Sequence, residues 1–217
     1  MKQLFSKALI SKAFAVFAMF GLATIANAAS DPKPHLEAVT EKISGEILSN
    51  KDKIKADSTY AKSLIKEHLL PEVDTEYMAK RILGKTHWTE ASEAQRTTFT
   101  NLFVDLLLNT YAKGLAEYDG QPIEYEETQY STSGNTANVR SKFIPSEGEP
   151  ILIDYRLKVQ PNEKWLVTDV IIEGVSMAKS FANQYREKIA AIGLEATLEE
   201  LKSENAKALE ATTITDQ

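Results

Sequence analysis

The sequence predicts an α+β domain, with several helices gathered on the concave face of a curled antiparallel sheet of four to five strands. Three observations carry that expectation. Apolar residues recur at helical spacing as far as about Tyr118, the period falls to two between Gln121 and Ile172, and helical spacing returns from Ser176. Helices, then closely connected strands, then helices again leave no room for βαβ crossovers, so the helices share one side of the sheet.

Asp31-Pro32-Lys33-Pro34 reads as an extended lead-in, after which Leu36, Val39, Ile43 and Ile47 mark a first helix to about Leu48. Asp57 or Ser58 caps a second helix, which turns Tyr60, Leu64 and Ile65 inward and ends at Pro71. Asp74 caps a third, carrying Met78, Ile82 and Leu83 and stopping at Gly84. Ser92 with Gln95 forms a capping box that opens the fourth helix, which runs to about Tyr118. Its stretch Leu102–Leu108 is apolar around most of its circumference, leaving Asn101, Asp105 and Asn109 as one narrow polar stripe. So wide an apolar arc must be covered on more than one side.

Four strands follow at Gln121–Tyr130, Asn135–Ile144, Pro150–Gln160 and Lys164–Ile172, joined by turns at Ser133-Gly134-Asn135, Glu147-Gly148 and Pro161-Asn162. Such short connections favour an antiparallel meander. Ile151, Ile153, Tyr155, Leu157 and Val159 share one face of the third strand, whereas Leu152, Asp154, Arg156 and Lys158 share a wet one. Ser176 caps a helix with Phe181, Tyr185 and Ile189; Gly193 breaks it; Leu194, Leu198 and Leu201 belong to a last helix, with a frayed tail beyond about Ala208.

The N-terminus reads as an export signal. Lys2, Lys7 and Lys12 precede an apolar core from Ala13 to Ile25, and Ala26-Asn27-Ala28 supplies the small residues of a cleavage site after Ala28. An N-terminal anchor fits less well, because the apolar run is short for a span. Residues 29–217 then form a single domain, expected to be soluble and monomeric. The chain has no cysteine, so no disulfide framework or thiolate metal site is available. Removal of the three signal lysines leaves 22 basic against 31 acidic residues. That balance opposes binding to nucleic acid, which needs a basic field.

Constellations for catalysis are scarce. His35, His68 and His87 have no helical pairing with one another, and Gly174-Val175-Ser176 lacks the second glycine of a nucleophile elbow because position 178 is Ala. Asp154 reads as a solvated carboxylate near Arg156. Asp169 interrupts an apolar strand and, if buried, needs hydrogen-bond partners. A structural role is favoured there over a general base. No metal or cofactor is expected.

Several stretches resemble the MlaC, or toluene-tolerance, family of periplasmic phospholipid-binding components of the Mla lipid-asymmetry pathway. They are Leu69-Leu70-Pro71-Glu72-Val73-Asp74 with Tyr77–Gly84; Ala94-Gln95-Arg96 with Phe99 and Phe103; Thr110-Tyr111-Ala112; and Tyr118-Asp119-Gly120-Gln121. Ile153–Leu157, Trp165–Val170 and Glu173–Met177 continue the match in order along the chain. The resemblance implies a deep pocket for lipid tails between the sheet and its helices. It also implies partners: phospholipid, an outer-membrane lipoprotein–porin complex, and an inner-membrane ABC transporter with a substrate-binding ring. Candidate pocket residues are Ile82, Phe99, Phe103, Leu106, Leu107, Tyr111, Val139, Ile153, Tyr155, Leu157, Val167, Val175 and Phe181. Each has an equally good reading as packed core, since both environments share one composition. Two wet tails would represent roughly 20–25 kcal/mol at about 0.8 kcal/mol per methylene. A dry cavity of about 1,000 Å³ or more is therefore expected. Headgroup contacts are expected to be few. Arg81, Lys85 and Arg156 are surface positions that could meet a partner. Two further readings stay open, a chaperone or adaptor for apolar segments and an enzyme using Asp169.

Overall fold

The computed structural model describes residues 30–215, so the expected signal and its cleavage site lie outside the described residues. Helix α1 spans Pro32–Ser49. The lead-in expected as extended is its first turn: the Asp31 side chain accepts from the Lys33 N–H. Proline is well suited there, since its missing N–H would have had no helical partner. A short α2 (Lys51–Ala56), not expected from the spacing, precedes α3 (Ser58–Leu64), which Asp57 caps. The chain then passes through a π-helical turn, Ile65–Leu69, and a 3₁₀ turn, Leu70–Glu72. Thus the second expected helix loses regular geometry well before Pro71.

Helix α4 (Thr75–Glu90) starts under the Asp74 cap and is broken, not ended, at Gly84, whose φ is 77° and ψ 168°. Carbonyls freed at the break are taken by one side chain from α6 (Met177–Ile192). Arg186 Nε donates to the Ile82 carbonyl at 3.1 Å and Nη2 to that of Arg81 at 2.6 Å. A Cβ at position 84 would come within 2.9 Å of the Arg186 Nε. Gly84→Ala should therefore cost about 2 kcal/mol, combining a backbone region open essentially to glycine with a displaced guanidinium. Chemical denaturation checks it, and an unchanged midpoint would refute it.

Helix α5 (Glu93–Ala116) opens with the expected capping box: the Ser92 N–H donates to Gln95 Oε1 at 2.9 Å and the Gln95 N–H to Ser92 Oγ at 3.2 Å. Its wide apolar arc is covered mainly by α3, α4 and the last helix, α7 (Leu194–Thr215). The polar stripe meets neighbours too. Asp105 pairs with Lys66 at 3.0 Å, and Asn109 donates to Asn205, which itself donates to the Leu102 carbonyl.

Among the described residues the sheet has six strands: β1 (Ile123–Tyr125), β2 (Gln129–Tyr130), β3 (Thr136–Phe143), β4 (Ile151–Val159), β5 (Trp165–Ile172) and β6 (Val175–Ser176). The first expected strand is split in two, both parts pairing with β3, and β6 adds a short edge beside β5. All these pairings are antiparallel. Between β4 and β5 the register shifts: Leu157 faces Val167 but Arg156 faces Asp169, leaving Thr168 as the extra residue. That bulge inverts the in–out alternation of β5 beyond it.

Three apolar clusters result among the described residues, the smallest gathering Ile47, Ile54, Ala61 and Leu64 of α1, α2 and α3. Ile82, Leu83, Phe99, Phe103, Tyr185, Ile189 and Leu201 are packed where α4, α5, α6 (Met177–Ile192) and α7 meet. Val139, Leu157, Trp165 and Val167 are packed under Leu36 of α1, with Tyr125 and Tyr155 at their side. Burial raises the hydroxyls of Tyr125, Tyr155 and Tyr185 above the ordinary tyrosine value; the neighbouring Tyr155 adds to this for Tyr125, and Glu204 for Tyr185. Neutral tyrosine is the form the fold favours, so this contribution is intact below roughly pH 10 and is lost as pH rises above it. Urea midpoints should be insensitive to these residues up to that pH and fall beyond it. Tyrosinate absorbance should lag behind that of the unfolded chain; a coincident titration would contradict the assignment.

Candidate functional site

The fold leaves an apolar cavity between α5, β5 and α6, roofed by the irregular turns before α4. The turns supply Ile65, Leu69, Leu70 and Val73, and α4 supplies Thr75 and Met78. Phe103, Val104, Leu107, Leu108 and Tyr111 come from α5, Val167, Val170 and Ile172 from β5, and Met177 and Phe181 from α6. Among the described residues no lining side chain is charged. Volume is about 320 Å³, at the low end for ligand sites and about a third of the size expected for two tails. The mouth is apolar as well, because Leu69, Tyr111 and Ile172 line the cavity and are also among the exposed large hydrophobics.

Local geometry explains how these residues converge. Val167 and Val170 have opposite parity, and in a regular strand they would face opposite sides. The Thr168 bulge brings both to the cavity, and the Thr168 hydroxyl fastens it by donating to the Arg156 carbonyl at 3.1 Å. The turns before α4 are held at both ends. Lys66 pairs with Asp105 of α5, while Glu72 is bound by His35 at 2.7 Å and by Lys164 at 3.2 Å. The Asp74 N–H donates to the Val167 carbonyl at 2.9 Å, so the roof is stitched to β5.

Of the residues singled out in the sequence, Phe103, Leu107, Tyr111, Val167 and Phe181 line this cavity. The others lie elsewhere. Ile82 and Phe99 are wholly buried in the helical cluster, and Leu106 packs against it from the α5 side. Val139, Leu157 and Tyr155 belong to the cluster under α1, because that helix, and not α5, covers the middle of the sheet. Ile153 is half-buried on β4 outside the cavity, and Val175 is exposed on the edge strand β6. Of the residues that were missed, Ile65, Leu69, Leu70, Val73 and Val170 sit on irregular turns or past the bulge, where periodicity carries no facing information, whereas Thr75, Met78, Val104, Leu108 and Met177 sit on regular helices. The Leu69–Asp74 motif, which carries part of the family resemblance, was the available signal.

Asp169 is fully buried and its carboxylate is committed to the fold. It accepts from Ser176 Oγ at 2.7 Å and from the Ala178 N–H at 3.1 Å, with Arg81 Nη1 at 3.4 Å and Arg156 Nη1 at 3.7 Å. Ser176 in turn caps α6 through the Lys179 N–H. Asp169 does not line the cavity. Among the described residues no acidic or histidine cluster fits a metal, and no helix is long and apolar enough to cross a membrane.

Comparison with known proteins places these features in context. Residues 37–203 match the family model described as MlaC protein. The chain is 30% identical over 164 residues to the intermembrane phospholipid transport system binding protein MlaC of Haemophilus influenzae, covering 75% of this chain and 76% of that one. It is 27% identical over 198 residues to the toluene tolerance protein ttg2D of Pseudomonas putida, covering 90% of each. A phospholipid-binding protein from Ralstonia solanacearum, solved at 1.53 Å in complex with a phospholipid, shares the fold with a TM-score of 0.76 at 23% identity; the match covers 83% of this chain and 99% of that one.

Proposed function

The chain belongs to the MlaC family, and from that premise we propose that it is a periplasmic phospholipid carrier that shelters acyl chains in the cavity between α5, β5 and α6. One observation carries the proposal: among the described residues the lining has no charged side chain, and it opens through exposed Leu69, Tyr111 and Ile172. A hydrocarbon tail is the ligand whose binding such a wall favours, since it gains from leaving water and needs no polar partner. The names of the Haemophilus and Pseudomonas relatives support the same reading. The family is one of lipid-transport proteins, not enzymes, which agrees with the burial of Asp169 in a structural network.

Two full tails need more room than about 320 Å³, so loading requires the walls to yield. Met78 and Met177 suit that, because unbranched thioether chains re-pack easily. Residues 1–28 are proposed as the export signal that places residues 29–217, as one domain, in the periplasm. There the carrier would exchange lipid with an outer-membrane lipoprotein–porin complex and with the substrate-binding ring of an inner-membrane ABC transporter.

Gentle purification, solvent extraction and mass spectrometry test the carrier role. Phospholipid near one equivalent is the expected result. Peptide, or nothing apolar at all, would reject it.

A further inference from the structure

The cavity has a definite inner end. Phe103 and Phe181 meet edge to face at 4.9 Å, and both line the cavity while packing against the helical cluster behind it. Phe99 and Tyr185 back them, at 6.0 Å from Phe103 and 6.5 Å from Phe181 respectively, and neither reaches the cavity. Phe99 and Tyr185 also contact each other edge to face at 5.4 Å. Four rings thus form a plate across the inner end, each ring holding the next. Tyr111, about half exposed, marks the outer end.

Phe103 and Tyr111 lie on the same helix, so the cavity runs along α5 for about 12 Å at 1.5 Å per residue. An extended chain advances roughly 1.2 Å per bond, so the straight path admits about ten carbons. A longer tail must bend along the wall or push the plate aside. Pushing is resisted, since interlocked rings in a close-packed cluster yield poorly.

Resting on the carrier reading above, we infer that the Phe103–Phe181 pair is a chain-length stop, so that the protein selects lipids by tail length. Each methylene added within the straight path strengthens binding roughly fourfold, and beyond the stop that increment shrinks. Phe181 is the adjustable half, because it is only partly buried whereas Phe103 is buried.

The test offers the mature protein vesicles containing equal amounts of phosphatidylglycerols with saturated tails of about 12 to 18 carbons, lengths beyond the straight path, where the stop should suppress the gain per methylene. Mass spectrometry then reads the lengths extracted, and ratios between variant and wild type cancel differences in escape from the vesicle. Phe181→Ala should raise the long-to-short ratio by at least about fourfold, one methylene's worth, and Phe181→Trp should lower it. Should alanine unfold the domain, Phe181→Leu makes the same test with less volume lost. Folded, lipid-loaded variants that keep the wild-type distribution would overturn the stop while leaving the carrier role standing. If wild type extracts no lipid, the carrier reading fails and the stop fails with it.

Discussion

Replacing Asp169 by alanine is expected to cost about 3 kcal/mol of stability, measured as a drop in urea midpoint, while lipid bound per folded molecule stays unchanged. The carboxylate is inaccessible and holds the strand-to-helix junction through Ser176 Oγ and the Ala178 N–H. Its loss strands a buried backbone donor and loosens the residue that caps α6. The arginine share is smaller, because Arg81 and Arg156 are partly exposed and regain water. Asn should recover about half of the loss by keeping one acceptor oxygen. A change below about 1 kcal/mol for alanine would mean that the network does not hold the junction.

Leu107→Trp should reduce retained phospholipid by at least about tenfold, with thermal stability within a few degrees of wild type. Leu107 projects from α5 into a cavity of about 320 Å³, so an indole there occupies volume that tails would otherwise enter. Because the space already exists, the larger side chain fills a void instead of straining packed core, where overpacking costs about 1–3 kcal/mol. Val170→Trp, from the β5 wall opposite, should act alike. Native mass spectrometry reads occupancy directly. Full lipid content in both variants would place the tails somewhere else.

The capping residues Asp57, Asp74, Ser92 and Ser176 and the meander of β3, β4 and β5 were legible because each rests on contacts within a few residues. Position 84 was readable as a break but not as a kink in a continuing helix. That outcome depends on Arg186, about a hundred residues away, accepting the role of satisfying the orphan carbonyls. The site was legible only in part. Phe103, Leu107, Tyr111, Val167 and Phe181 face the cavity, yet Phe99 and Ile82, identical in character, face packed helices.

Local pattern by itself determined most of the helices, the central strands and the wide apolar arc of α5, since hydrophobic period and capping chemistry act over a few residues. Tertiary structure alone decided which apolar side chains border empty space. A side chain becomes wall or core according to what stands across from it. For α5 that was settled by α7 covering one flank, while the irregular turns and a bulged β5 stand off from the other.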